Sequence, residues 1–399
     1  MRKFCQSTRL IPVLLSFAAF LAIRALAVFV AIPSIAVLID SGYYVAAGTA
    51  YVRGALPDSL NPEHPPLAKY IIGFFAVYFG NPSLASYVFG FLSVVAAYFL
   101  ARRLLSKKKW ATVTVWLVAF DSVSISTFLY PVLDGFMLFF ALASICVLLR
   151  SEKLHHYALA GMLMGLAVAC KWNALFFAAP EIIFIVASHK YFAAVVSSFS
   201  SSALYVASYS ALIAAKGLNS FLNLQLWMTG FMLGAHGLGP TVKDIIGQLI
   251  LPFIFHTTTF GAVTGYNSAF HPEGFNLLGR SYISFADLTN APILLLLFPL
   301  IYWLLRRFTP SDSARKLMLW ILASLIVWEI LFVNSLETWF FAPIIAMIAI
   351  GAAPMLEEIA SRGSRERLLA YSYLGLVALW PLIASAIVVL RVVYYWTYP

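Results

Sequence analysis

Charge is what this 399-residue sequence has least of: 11% of its residues are Asp, Glu, Lys or Arg, against about 25% in an ordinary soluble domain. With 62% hydrophobic residues and a mean hydropathy of +0.90, that scarcity excludes a soluble globular protein and leaves a polytopic membrane protein. Acids are scarcer than bases, 16 against 26, for a net charge of +10. The basic excess is scattered over many short stretches and forms no single aromatic-interleaved patch, so the expected partner is the lipid bilayer and not nucleic acid. Three cysteines, Cys5, Cys146 and Cys170, fall far apart and supply no disulfide framework. No internal repeat, low-complexity tract or soluble domain interrupts the chain, and a single domain over 1–399 is expected.

Long apolar runs, in contrast, are plentiful. Runs near the roughly 20 residues that cross a bilayer lie at about 10–36, 83–104, 110–129, 131–149, 156–170, 173–188, 191–215, 290–307, 317–335, 338–356 and 369–394. They predict an all-α, polytopic transmembrane helical bundle of about eleven spans. The basic start and apolar run resemble a signal peptide, but no small-residue cleavage signal precedes Asp40, so the run is expected to stay as the first span. Basic residues favour cytoplasmic loops. With the N-terminus cytoplasmic, most of the 26 Lys and Arg fall inside, among them Arg102, Arg103, Lys107, Lys108, Lys109, Arg306, Arg307, Arg315 and Lys316. The C-terminus is then external, as are both wide polar loops, about 40–82 and 216–290.

Asp40 follows an apolar stretch that begins after Arg24, so it sits near the outer water boundary, where a carboxylate can take a proton from a hydroxyl. The run Glu63-His64-Pro65-Pro66-Leu67-Ala68-Lys69 follows in the same loop. Pro65-Pro66 suits a helix start, because proline costs little where backbone donors lack partners anyway. Leu67–Gly80 and Val242–Phe255 are apolar but short for a crossing and read as interfacial helices. Taken singly, Asp40 is an ordinary helix-end acid and His64 and Lys69 ordinary boundary residues. His236, His256 and His271 lack metal-ligand spacing. No Asp-x-Asp or Glu-x-Asp pair occurs in the external loops, so neither a metal nor another cofactor is expected.

In combination these residues form an ordered pattern. Arg24, Pro33 and Asp40, then Asp40-Ser41-Gly42-Tyr43-Tyr44, Gly54 and the full His64–Lys69 motif, resemble the protein O-mannosyltransferases that use dolichyl-phosphate mannose. Looser echoes are Leu133-Asp134-Gly135-Phe136, Gly165-Leu166-Ala167 with Lys171-Trp172-Asn173-Ala174, and Glu337-Thr338-Trp339-Phe340-Phe341-Ala342-Pro343. The resemblance implies a GT-C glycosyltransferase whose catalytic loops lie on the external face. It implies transfer of mannose from a polyprenyl-phosphate donor to a Ser or Thr hydroxyl of a protein, with Asp40 as general base. Arg24, Tyr44, His64, Lys69, Asp134, Lys171 and Trp172 are the expected substrate-binding residues. Lys171 is the expected cation for the departing phosphate and Trp172 a surface for sugar or lipid. The family has Asp-Glu where this chain has Asp40-Ser41, and Arg where it has Ser83. Pairing with a second copy or a related subunit is expected by the same analogy.

Two other readings share the pattern. A GT-C enzyme that glycosylates a lipid or polysaccharide would carry the same donor-side residues. Intramembrane Arg24, Asp121, Asp134, Glu181 and Glu329 also suit a transporter path, though the two matched halves of a transporter are not visible. A non-catalytic partner subunit is the third alternative.

Overall fold

The computed structural model describes residues 35–104, 110–119, 121–150, 153–236, 261–264, 274–277, 280–285, 292–306, 313–332, 342–377 and 379. The chain is an α-helical bundle. Its helices are α1 (Ile35–Val52), α2 (Leu67–Phe79), α3 (Ser83–Leu104), α4 (Ala111–Ala119), α5 (Ser122–Leu129), α6 (Leu133–Leu148), α7 (Leu154–Cys170), α8 (Leu175–Ala187), α9 (Tyr191–Ala207), α10 (Ser210–Lys216), α11 (Leu218–His236), α12 (Leu297–Arg306), α13 (Ser313–Phe332) and α14 (Ala342–Arg362). A further helix, α15, covers 364–377. Strands β1 (Gly261–Thr264), β2 (Gly274–Leu277) and β3 (Arg280–Phe285) form a small antiparallel sheet in the order β1-β3-β2. In it Gly261 lies opposite Phe285 and Gly274 opposite Ile283.

Composition decides where each helix sits. α14 is apolar on every side from Ala342 to Leu356 and buried over that stretch, as an interior helix must be, and it packs against α3, α4 and α13. α7 lies between α6 and α9. Gly161 and Gly165, one turn apart on α7, let the carbonyls of Ser197 and Ser201 on α9 come close enough that a Cβ at either glycine would strike them. Small residues four apart are a common way for membrane helices to approach. α1 and α2 cross in the same manner, Gly48 against Gly73, with backbone touching backbone.

Several expected spans keep their bounds. α3 covers the expected 83–104 and α6 lies within 131–149. Among the described residues α3 and α14 are each long and apolar enough to cross a membrane alone. Other runs differ in detail. The expected span 191–215 is two helices, α9 and α10, bent by 62° at the break, where Tyr209 is drawn into a cluster with Leu212, Phe221, Leu224 and Met228. The run 110–129 is interrupted at Asp121, whose Oδ1 accepts the Ser124 amide and caps α5. The expected loop 40–82 is mostly helical: α1 runs on through Asp40 to Val52, and only 53–66 links it to α2. Ala46, Ala47 and Ala50 favour helix once the Ser41-Gly42 pair is passed. The segment 216–290 contains α11 and the sheet. The first expected span up to residue 34, the Val242–Phe255 stretch and most of 369–394 lie outside the described residues.

Candidate functional site

Asp40, Tyr44, Ala47 and Tyr51 repeat at helical spacing along one face of α1, and the last three are buried. That stripe turns Asp40 inward. The Tyr44 hydroxyl donates to Asp40 Oδ2 at 3.4 Å, and the His64 ring meets the Tyr44 ring edge-on, 5.9 Å between centroids. The Asp40 carboxyl is half-buried, and burial is the main reason its pKa is raised to about 6. The Lys171 cation opposes that rise, the Asp134 carboxylate adds to it, the Tyr44 hydrogen bond opposes it and Glu63 adds to it. Tyr44, Glu63, Asp134 and Lys171 thus all act on Asp40.

Asp134 and Lys171 come from different helices, 37 residues apart in sequence. Asp134 lies in the first turn of α6 and Lys171 directly follows α7, so each charge suits the dipole of its own helix end. Lys171 Nζ donates to Asp134 Oδ1 at 2.9 Å and Oδ2 at 2.8 Å. Their side chains are 2% and 1% exposed. A buried pair of this geometry is stable only while both charges remain. The next residue, Trp172, begins a short 3-10 turn (Trp172–Ala174). Its Nε1 donates to the Tyr205 hydroxyl of α9 at 2.9 Å, and Tyr205 donates in turn to Gln225 Oε1 of α11.

Lys69 lies deeper than the sequence suggested. It is 0% exposed, and its ammonium donates to the backbone carbonyls of Asn61 and His64, the latter at 2.8 Å. Burial pushes its pKa down to about 7, with Glu63 pulling the other way. Arg24 lies outside the described residues. The structure therefore brings Asp40, Tyr44, His64, Asp134 and Lys171 to one site, sets Trp172 on its flank and places Lys69 beneath the 53–66 loop.

Sequence reasoning missed Tyr51, Asn61, Tyr205 and Gln225, and quoted Asn173 only within the Lys171–Ala174 echo. Tyr51 shares the inward stripe of α1, a signal that was available. The buried Asn173 Nδ2 and the Gln225 Nε2 have no hydrogen-bond partner among the described residues, and nothing local in sequence marks Gln225. Among the described residues no three His, Cys, Asp or Glu side chains form a metal-holding group.

Residues 63–218 match the model of the dolichyl-phosphate-mannose-protein mannosyltransferase family. That stretch holds His64, Lys69, Asp134, Lys171 and Trp172 and begins after Asp40 and Tyr44. ArnT from Cupriavidus metallidurans, in a crystal structure bound to undecaprenyl phosphate, superposes with a TM-score of 0.63 at 12% identity, covering 95% of this chain and 76% of that one. The chain is thus similar to that mannosyltransferase family over 63–218 and shares the fold of ArnT over nearly its whole length. The apo form of the same ArnT gives a TM-score of 0.56 at 12% identity over 94% of this chain and 76% of that one. The archaeal oligosaccharyltransferase AglB from Archaeoglobus fulgidus, in complex with an inhibitory peptide and a dolichol-phosphate, gives 0.55 at 13% identity. That superposition covers 94% of this chain and 56% of AglB. No curated protein matches it significantly.

Proposed function

We propose that this protein is a GT-C glycosyltransferase that transfers a sugar, mannose by family analogy, from a polyprenyl-phosphate donor to a Ser or Thr hydroxyl of a protein at the external membrane face. The observation that carries the reading is the half-buried Asp40 carboxyl, held by Tyr44 beside the Asp134–Lys171 pair, in a fold shared with proteins bound to undecaprenyl phosphate and dolichol-phosphate. A serine hydroxyl is a poor nucleophile, and a positioned carboxylate makes it competent. The acceptor oxygen bonds to the anomeric carbon and its proton passes to Asp40. The bond from that carbon to the phosphate oxygen breaks, and polyprenyl phosphate leaves with the electron pair.

The leaving phosphate needs cationic or hydrogen-bonding groups. Lys171 has two contacts committed to Asp134, so its part is to hold charge and geometry beside Asp40. His64 beside Tyr44 and Arg24 before Asp40 in the sequence are the groups proposed for the phosphate. Trp172, with the Asn173 and Gln225 amide nitrogens nearby in the sequence or hydrogen-bond chain, is proposed for the sugar. Buried donors without protein partners call for a polar ligand.

The test is to incubate membranes containing the protein, and matched membranes lacking it, with labelled polyprenyl-phosphate mannose, and to follow label into protein, lipid and water-soluble glycan. Label in protein is expected. Label in lipid or glycan would keep the transferase and overturn the protein acceptor. No label from any of several polyprenyl-phosphate sugars would overturn the proposed function.

A further inference from the structure

The loop 53–66 connects the two helices that cross at Gly48 and Gly73, and its backbone carbonyls are taken up from below. The Tyr51 hydroxyl, at the end of α1, is shared between the carbonyls of Pro57, at 3.1 Å, and Leu60. The Lys69 ammonium, in the first turn of α2, donates to the carbonyls of Asn61 and His64. Both side chains are buried, at 3% and 0% exposure, and the ammonium lies 5.8 Å from the Tyr51 ring centroid. Asn61 holds φ at +48°, a left-handed conformation that Asn tolerates better than most residues but that persists only where neighbours enforce it. Its side-chain amide donates to Glu63 Oε1. The outer edge of the loop is tied separately, by the Lys216–Asp58 ion pair at 2.6 Å and by Leu56 packed on the Tyr209 cluster.

Resting on the proposed function, we propose that Tyr51 and Lys69 are positioning residues: a buried clasp that fixes the loop by its carbonyls and so holds His64 against Tyr44 and Tyr44 on Asp40. The chain of contacts is short. Lys69 fixes His64 through its carbonyl, the His64 ring abuts Tyr44, and the Tyr44 hydroxyl reaches Asp40. Lys69 was expected from sequence to touch substrate. Its complete burial and its two carbonyl acceptors give it this other task, and the task explains a lysine three residues after a Pro-Pro pair. The side chain must reach back over the start of its own helix to the loop that precedes it. The two helices that carry the clasp can share it only because Gly48 and Gly73 let their backbones touch.

The test compares wild type with Tyr51→Phe and Lys69→Met in lipid nanodiscs, reading amide hydrogen exchange by segment and transfer kinetics with polyprenyl-phosphate mannose. Tyr51→Phe removes one hydroxyl and keeps the ring, so it remains informative if Lys69→Met does not fold. The expected result is exchange at least tenfold faster in 57–66, unchanged exchange in α3, α6 and α7, and kcat at least fivefold lower. Unchanged exchange in 57–66 would overturn the clasp. Equal acceleration in all helices would overturn it too, because it would mark general destabilisation. Local loosening at full kcat would overturn the link to Asp40. If the wild type transfers no sugar, the proposed function falls, and the exchange pattern still decides the clasp.

Discussion

At the scale of single residues, the site is a set of charges whose burial is tolerated only in combination. Removing one partner of the Asp134–Lys171 pair strands the other in a buried place, so Lys171→Met alone is expected to cost about 3 to 5 kcal/mol. The double change Asp134→Leu with Lys171→Met should regain most of that stability and no transfer. Thermal unfolding in nanodiscs, read beside transfer, separates the two effects. Asp40 behaves in the opposite way. Burial raises its carboxyl pKa from the ordinary 3.8 to about 6, so its contribution to stability is fully present below pH 3.8 and lost as pH climbs past 6. Asp40→Asn is therefore expected to stabilise the protein at pH 8, by on the order of 2 to 3 kcal/mol, while removing activity. An unfolding midpoint at pH 8 below that of wild type would contradict this.

At the scale of elements, the sequence was legible where hydrophobic length and charge agree. α3 ends at the Arg102-Arg103 pair, and its bounds could be read directly. Legibility failed where an apolar run conceals a local polar event. Asp121 caps a helix inside what reads as one span, and Tyr209 bends another through contacts made with α11. The helical course of 40–52 was hidden by Asp40-Ser41-Gly42, which looks like a boundary. The α1–α2 crossing was equally invisible, because its determinant is the meeting of Gly48 with Gly73, 25 residues later in the chain. Gly73→Val is expected to be among the most damaging single changes in the site region. A side chain there meets the Gly48 carbonyl, which cannot rotate away as a flexible side chain would, and overpacking costs typically 1 to 3 kcal/mol or more. Folded yield and unfolding midpoint measure it, and a wild-type midpoint would refute the crossing.

At the scale of the whole molecule, the class could be read from the sequence, and the contacts among the candidate-site residues could not. Composition gives a membrane bundle, and the Asp40 to Lys69 pattern marks the end of the bundle where the polar groups gather. The partners of Lys69 are backbone carbonyls, which carry no side-chain signature. Asp134 and Lys171 lie on separate helices with no spacing rule between them, and Trp172 is linked to Gln225 only through Tyr205. The departures at Ser41 and Ser83 leave Asp40 as the acid of its helix turn. The proposed reaction then uses one carboxylate, set in a fold shared with ArnT and AglB. The most direct measurement is single-turnover transfer from polyprenyl-phosphate mannose by wild type and Asp40→Asn across pH 5 to 8. The expected result is a wild-type rate that rises through about pH 6 as Asp40 ionises and a loss of at least about a hundredfold in Asp40→Asn. Transfer by folded Asp40→Asn at the wild-type rate would contradict Asp40 as the base.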